Sequence, residues 1–324
     1  MEHLPKIFIS EPINAKGMRM LKDKAELIHA SDTSKETAMR LIQDADAVIL
    51  RATTIFDKEV IEKGTRLQII ARTGVGIDNV DLKAAGERDI LVCNTPGTND
   101  DTVAEHVLAI ILALAKQLVT MDKAVREQNW FERFSPRQFD IKDKKIGLIG
   151  YGRIGKATAI KCKNLGMQVY VYDPYVLPDD NRVHYVEHLD ELFSTCDFVS
   201  LHCPSLPSTR NMVNARTLAL MKEHAYLINT SRGELIDEAD LVVCLKAKQI
   251  AGAALDVFKN EPLPLSHPFH QLDNLLLSPH VAGSTKESNE RIAVAAVQAV
   301  LDTLAGKLPE NICNGQFLKS TIIS

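Results

Sequence analysis

Short runs of β-branched and apolar residues alternate with stretches of helical period along the whole of this 324-residue chain. That alternation admits few folds, because strands linked through helices give a parallel sheet with helices packed on its faces. The first such runs are Lys6-Ile-Phe-Ile-Ser10, Ala47-Val-Ile-Leu-Arg51, Leu67-Gln-Ile-Ile-Ala-Arg72 and Ile90-Leu-Val-Cys-Asn94. Helical stretches such as Ser34 to Ile42 and Asp57 to Lys63 lie between them. Unbroken apolar runs suit strands buried on both faces.

A second series begins at Lys145-Ile-Gly-Leu-Ile149. It continues through Gln168 to Tyr172, Phe198 to His202, Ala225 to Asn229, Gly252 to Val257 and Leu275 to Leu277. Six strands in one run predict a complete doubly wound sheet. Between the two series, Thr95-Pro-Gly-Thr-Asn-Asp-Asp101 reads as a loop and a domain crossing. Thr102 and Glu105 have capping-box spacing, which predicts a helix from there to about Gln128. Its first half is apolar on nearly every side, so it is buried either between domains or subunits or in the core of its own subunit. The pattern is helical again from Lys286 to Leu304.

Composition removes several function classes. Hydrophobic residues are 45% and charged residues 25%, which sets the chain among folded globular proteins. A net charge of −4 gives no basic footprint for nucleic acid or an acidic membrane. The most apolar window, Val103 to Leu118, is interrupted by Glu105, His106, Lys116 and Gln117, so no bilayer span is expected. Met1-Glu2-His3-Leu4-Pro5 leads straight into a predicted strand with no signal-peptide pattern. The six cysteines are scattered without a CxxC pair, which argues against metal ligation and disulfides and for a reducing, cytoplasmic compartment.

The segment Gly150-Tyr-Gly-Arg-Ile-Gly155 follows a predicted strand and precedes a predicted helix, Lys156 to Leu165. The next strand ends in Asp173, which completes the context of a dinucleotide fingerprint. Gly150 permits the tight turn, Gly152 lets the backbone approach a pyrophosphate, and Gly155 lets helix and strand pack closely. The helix start offers unpaired N–H groups and partial positive charge to phosphates. Asp173 would accept from ribose hydroxyls and repel a 2′-phosphate, so the expected cofactor is NAD and not NADP.

Three further segments begin at predicted strand ends: Asn229-Thr-Ser-Arg-Gly233, Asp256-Val-Phe-Lys-Asn-Glu-Pro262 and Ser278-Pro-His-Val-Ala-Gly283. They offer Arg232, Glu261 and His280 where such sheets bind ligands. Oxidising a secondary alcohol needs a base for the hydroxyl proton, and histidine titrates close to working pH. A carboxylate on its other nitrogen fixes the tautomer, and an arginine fork binds a substrate carboxylate. A nicotinamide facing all three across a crevice between domains is the spatial expectation.

At these residues the chain resembles the D-isomer-specific 2-hydroxyacid dehydrogenase family over about residues 5 to 305. The likeness rests on Thr73-Gly-Val-Gly-Ile-Asp-Asn79, Asn94-Thr-Pro-Gly97, the glycine fingerprint, Asn229 to Gly233, Ala253-Ala-Leu-Asp-Val257 and Pro279-His280. It implies Arg232, Glu261 and His280 as the catalytic set. It also implies cofactor contacts from Val75, Arg153, Ile154, Asp173, Cys203, Pro204, Thr230, Asp256 and Gly283 beside the fingerprint glycines. Backbone N–H groups at Val75 and Gly76 would take the substrate carboxylate.

The implied architecture is two doubly wound α/β domains. A Rossmann NAD domain, residues 100–286, is inserted into a flavodoxin-like substrate domain of residues 1–99 and 287–324, with hinges near Asn99 and Lys286. The helix after Thr102 would build a homodimer. Asn129-Trp-Phe-Glu-Arg-Phe134 and His280 to Glu287 are similar to the 3-phosphoglycerate dehydrogenase subgroup, and Arg51 and Arg72 could hold the phosphate of such a substrate. Many of that subgroup continue into a serine-binding regulatory domain, whereas this chain stops at Ser324, so control through such a domain is not expected. Competing readings are a family dehydrogenase or reductase acting on glycerate and hydroxypyruvate or on an apolar 2-keto acid, and an NAD-sensing corepressor of the same fold. Formate dehydrogenase is disfavoured because it carries glutamine where Glu261 stands.

Overall fold

The computed structural model describes residues 4–134, 137–176 and 183–319. Met1 to His3, and the expected second substrate-domain segment from residue 320 onward, lie outside them. The chain divides into two compact units, one of residues up to Asn99 with those from Ser284 onward, the other Asp100–Gly283. The second crossing falls ahead of the helix that begins at Lys286.

The first unit holds five parallel strands: β1 (Lys6–Ile9), β2 (Glu26–His29), β3 (Ala47–Leu50), β4 (Ile69–Arg72) and β5 (Leu91–Cys93). Their order is β2-β1-β3-β4-β5, the flavodoxin-like arrangement. Helices α1 (Ala15–Leu21), α2 (Lys35–Leu41), α3 (Lys58–Lys63) and α4 (Leu82–Glu87) follow the first four strands in turn. Each starts where Asn14, Ser34, Asp57 or Asp81 accepts a first-turn backbone N–H. Successive strand residues point to opposite faces. Phe8, Val48, Leu50, Ile70 and Val92 form one core with α2, α3 and α4. Ile7, Ile9, Ile49, Ala71 and Cys93 form the other with α1 and the last helix, α11 (Lys286–Leu304). Burying that second face is what draws the far end of the chain back to this sheet. Strand β2 was not among the predicted runs; its sequence, Glu-Leu-Ile-His, is exposed at both ends on an edge.

Among the described residues the second unit carries seven parallel strands, not the six expected. They are β6 (Lys145–Ile149), β7 (Gln168–Tyr172), β8 (His184–Tyr185), β9 (Phe198–Leu201), β10 (Tyr226–Asn229), β11 (Gly252–Leu255) and β12 (Leu275–Leu277). The order β12-β11-β10-β9-β6-β7-β8 is the dinucleotide-binding arrangement with one strand added. The strand missed, β8, is two residues long and too short to show a pattern.

Helices α5 (Asp100–Ala115), α6 (Leu118–Arg126), α7 (Arg153–Asn164), α8 (Leu189–Thr195), α9 (Ala215–Leu218) and α10 (Glu238–Lys246) cover the second sheet. The single helix expected from Thr102 to Gln128 is two, bent by 58°. Gln117 takes a left-handed φ of 52°, Phe139 N–H donates to Ala115 O, and Lys116 Nζ donates to Phe139 O. A distant segment thus takes the carbonyl that another helical turn would have used. The capping box is also corrected. Helix α5 starts at Asp100, so Thr102 and Glu105 lie inside it, and Asp100 and Asp101 occupy its first turn, where negative charge is favoured. Val107, Ile110, Ile111 and Ala115 of α5 pack on α7 and the sheet, in the core of their own unit.

Both sheets are pinned by the same device. Asp46 Oδ2 accepts the Lys6 N–H at 2.8 Å, and Asp197 Oδ2 accepts the Lys145 N–H at 2.8 Å. Arg66 pairs with the first carboxylate, and Lys222 and His224 lie within hydrogen-bond distance of the second. Among the described residues no single helix is long and apolar enough to cross a membrane, and no group of three or more His, Cys, Asp or Glu could hold a metal ion. All six cysteines are free thiols.

Candidate active site

Loops at the carboxyl ends of β6, β7, β9, β10, β11 and β12 carry the expected functional residues of the second unit. The turn after β6 needs its glycines. Gly150 has φ +100°, and a Cβ there would lie 2.8 Å from the His202 backbone; one on Gly155 would lie 2.3 Å from Gly150 O. Helix α7 starts at Arg153, earlier than expected, with Gly152 as a cap that offers no side-chain acceptor and no acidic residue in the first turn. Its first N–H groups therefore lack the usual side-chain acceptor. A Cβ on Gly152 would meet nothing within 4 Å, so the space beside the turn is open.

The other dinucleotide residues divide between ligand and loop. Asp173, at the end of β7, is buried and already accepts from Tyr151 N–H at 2.7 Å, Tyr175 N–H at 2.8 Å and Val176 N–H at 3.1 Å. A carboxylate has about four lone-pair sites, so one is left for a ribose hydroxyl. Thr230 Oγ1 and His202 Nδ1, at the ends of β10 and β9, are buried without a hydrogen bond. Burial pushes His202 down to about 4, which keeps that ring neutral. Burial likewise pushes the Cys203 thiol up to about 11, and its Sγ rests 3.7 Å from Met212 Sδ. Cys203 and Pro204 give their carbonyls to Ser231 Oγ and Thr209 Oγ1. Arg153 is exposed and Ile154 half-buried on the first turn of α7. An open glycine cradle, unclaimed helix N–H groups and an orphaned threonine hydroxyl together fit a dinucleotide.

Glu261 and His280 meet. His280 Nδ1 lies 2.7 Å from Glu261 Oε2, and Glu261 Oε1 accepts the Phe258 N–H at 3.0 Å. Since an ionised carboxylate only accepts, a neutral ring would hold its proton on Nδ1 and present the lone pair on Nε2. Burial by itself would raise the Glu261 carboxyl. The hydrogen bonds from His280 and Phe258, with the charges of His280 and Arg232, outweigh it and hold the group below the ordinary glutamate range. Arg232 Nη1 donates to Ser231 O at 2.6 Å, and Asn229 Nδ2 donates to Arg232 O at 2.7 Å.

Asp256 spends its side chain inside the neighbouring loop. Its side chain is fully buried and both oxygens serve the His280 loop: Oδ1 accepts from Ser278 Oγ and Val281 N–H, Oδ2 from Ala282 N–H. The His280 N–H donates to Asp256 O at 2.8 Å. These bonds hold His280 at φ +52°, a left-handed geometry that costs free energy without such support. Gly283 is the last residue of this unit. Ser278, Ser231 and His106, whose Nε2 sits 3.3 Å from Ser278 Oγ, were not expected to take part. Ser278 stands one residue from the Pro279-His280 pair, and that adjacency was the available signal.

Arg51, Arg72, Val75 and Gly76 belong to the first unit. Arg72 is paired with Leu50 across β3 and β4, so Arg51 and Arg72 leave the ends of neighbouring strands. Arg51 Nη1 donates to Pro12 O at 2.8 Å and Arg72 Nη1 to Thr73 O at 2.6 Å. The Arg72 guanidinium lies over Gly74, where a Cβ would be 1.6 Å from it. Gly74 N–H donates to Thr95 Oγ1 and Val75 O accepts from Asn94 Nδ2, which fixes the Val75–Gly76 turn.

The sequence profile described as D-isomer specific 2-hydroxyacid dehydrogenase, NAD binding domain, matches residues 108–282. The chain belongs to this family. Its second unit is the family's NAD-binding domain, and the family's members are oxidoreductases. A D-3-phosphoglycerate dehydrogenase of Synechocystis is 38% identical over 305 residues, 94% of this chain and 55% of that protein. A glyoxylate reductase of Thermofilum pendens is 37% identical over 329 residues, 97% of this chain and 96% of that protein. The crystal structure of the TT0316 protein from Thermus thermophilus superposes with a TM-score of 0.88 at 33% identity, covering 95% of this chain and 99% of its own. The chain thus spans little more than half the length of the phosphoglycerate dehydrogenase it matches, and nearly all of the glyoxylate reductase.

Proposed function

We propose that this 2-hydroxyacid dehydrogenase oxidises the C2 hydroxyl of a D-2-hydroxy acid, or reduces the matching 2-keto acid, with NAD. The observation that carries this reading is the Glu261–His280 pair, in which the carboxylate faces Nδ1 at 2.7 Å and leaves Nε2 on the other side of the ring. In the oxidative direction His280 Nε2 takes the hydroxyl proton, and in reduction it returns that proton to the carbonyl oxygen. Glu261 stabilises the imidazolium that forms, and Arg232 binds the substrate carboxylate. NAD, held by the α7 N–H groups, Asp173 and Thr230, supplies the hydride acceptor when bound. A panel of 2-hydroxy acids read by NADH absorbance tests the assignment. Turnover abolished in His280→Ala is expected; turnover that survives would overturn it.

For the finer substrate we take 3-phosphoglycerate, because Arg51 and Arg72 leave adjacent strand ends with guanidinium groups steadied by Pro12 O and Thr73 O. Such paired cations suit a phosphate. Glyoxylate reduction is the second reading, favoured by the nearly full-length match to a protein of that name. Comparing kcat/KM for 3-phosphoglycerate with that for D-glycerate separates them: no advantage from phosphate would sink the first.

The partner is a second copy of the chain. Within the expected dimer helix, Val103, Val107, Ile110, Ile111 and Ala115 are buried in their own unit, whereas Leu118, Val119 and Val125 past the bend, with Trp130, Phe131 and Phe134 beyond them, are exposed. Phe131→Glu is expected to yield monomers in light scattering, and an unchanged mass would refute this interface. Six unpaired thiols suit a reducing cytoplasm as the place of action.

A further inference from the structure

A second carboxylate–imidazole pair stands in the same unit, behind the loop that bears Glu261. Glu238 opens helix α10, which begins a short 3-10 turn after Arg232. It lines a cavity of about 420 Å³ with Asp237, Val242, Lys259, His267 and Pro268. Glu238 Oε1 accepts the Lys259 N–H at 3.0 Å, and Oε2 lies 3.5 Å from His267 Nε2. His267 Nδ1 accepts the Phe269 N–H at 3.3 Å, so a neutral ring carries its proton on Nε2, facing Glu238. The two side chains are 14% and 19% exposed, far less than the solvent-facing pairs elsewhere in the chain.

Two consecutive amides are the decisive feature. The Phe258 N–H grips Glu261 and the Lys259 N–H grips Glu238, so one short stretch of main chain is held between two carboxylates. That main chain has no slack on its other side. A Cβ on Gly233 would come within 2.0 Å of Phe258 C and 2.4 Å of Lys259 N, which puts the Arg232 turn in direct contact with the Glu261 loop. The Phe258 and Phe269 rings, 6.5 Å apart, and the edge of His267 against Phe269 at 4.3 Å anchor the loop's far end. Displacing the Lys259 amide must therefore displace the Phe258 amide, and with it the carboxylate that orients His280.

We infer that Glu238, braced by His267, is a positioning residue for the Glu261–His280 pair and sets its geometry through the Phe258–Lys259 main chain. The inference rests on the dehydrogenase reading above, and its test separates the two. Wild-type turnover and its loss in His280→Ala are established first. Glu238→Ala removes the acceptor for Lys259, while Glu238→Gln keeps an acceptor of the same shape.

A misplacement of this kind lowers kcat about tenfold or more while KM moves less than about twofold. Glutamine should restore most of the loss. Thermal unfolding is followed alongside, and His267→Phe replaces Glu238→Ala should that variant not fold. Unchanged kcat in Glu238→Ala or His267→Phe overturns the inference, as does a loss that glutamine leaves uncorrected in a variant that unfolds at the wild-type temperature. If the wild type turns over no 2-hydroxy acid, the dehydrogenase reading has failed. The positioning claim is then judged by the ¹⁵N resonances of the His280 ring, which must differ between Glu238→Ala and wild type and return with Glu238→Gln.

Discussion

Replacing Glu261 by glutamine isolates the charge behind His280, because the side chain keeps its shape and an oxygen that can accept. The carboxylate and the ring nitrogen are 2.7 Å apart. Two unit charges at that distance attract by about 1.5 kcal/mol in bulk water and by about 6 kcal/mol at the effective dielectric of about 20 near a protein surface. The Glu261 and His280 side chains are 36% and 47% exposed, so solvent screening keeps the figure at the lower end, about 2–3 kcal/mol. That charge attraction arises only as the ring takes the proton, so its loss should appear in kcat as about 30- to 150-fold. The assay is initial-rate kinetics by NADH absorbance. A Glu261→Gln enzyme within threefold of wild type would refute the reasoning.

Three further outcomes follow from the same geometry. Asp173→Ala removes the charge that would repel a 2′-phosphate, and the preference for NAD over NADP in kcat/KM should fall at least about tenfold; an unaltered ratio would show that Asp173 serves only its turn. Gly155→Ala drives a Cβ to 2.3 Å from Gly150 O, and NADH affinity by fluorescence titration should drop sharply; wild-type affinity would count against the turn as the phosphate cradle. For Asp197, burial would raise the carboxyl, but the Lys145 N–H, Lys222 and His224 hold it below the ordinary aspartate range. Its stabilisation is therefore full above the unfolded-state value near 4 and fades as pH falls through the lower folded value. Asp197→Asn should cost about 1–3 kcal/mol in urea unfolding at pH 7 and progressively less in acid; a cost independent of pH would contradict the assignment.

Much of this protein was legible in one dimension. Strands buried on both faces must be largely apolar, so β3, β9 and β10 could be placed from sequence to within one residue, and the helix from Lys286 to Leu304 by its period alone. The glycine turn was readable because only glycine tolerates the φ of residue 150 and the approach at residue 155. The edge strands β2 and β8 escaped, since β2 is half in solvent and β8 too short for a period. The Arg232, Glu261 and His280 segments were legible because a doubly wound sheet delivers its carboxyl ends to one side.

Partnership was decided only in three dimensions. The bend after α5 depends on Phe139 reaching Ala115, the φ of His280 on Asp256, and the Lys259 amide on a glutamate at the start of α10. Hydrophobic burial leaves a periodic trace along the chain because every turn of a helix and every second strand residue repeats the same demand. A hydrogen bond between residues twenty or more apart leaves none, since any donor can serve once the fold has brought it within about 3 Å. Sequence therefore settled which faces are buried and where the chemistry lies, while tertiary packing decided which amide, carboxylate and ring hold that chemistry in place.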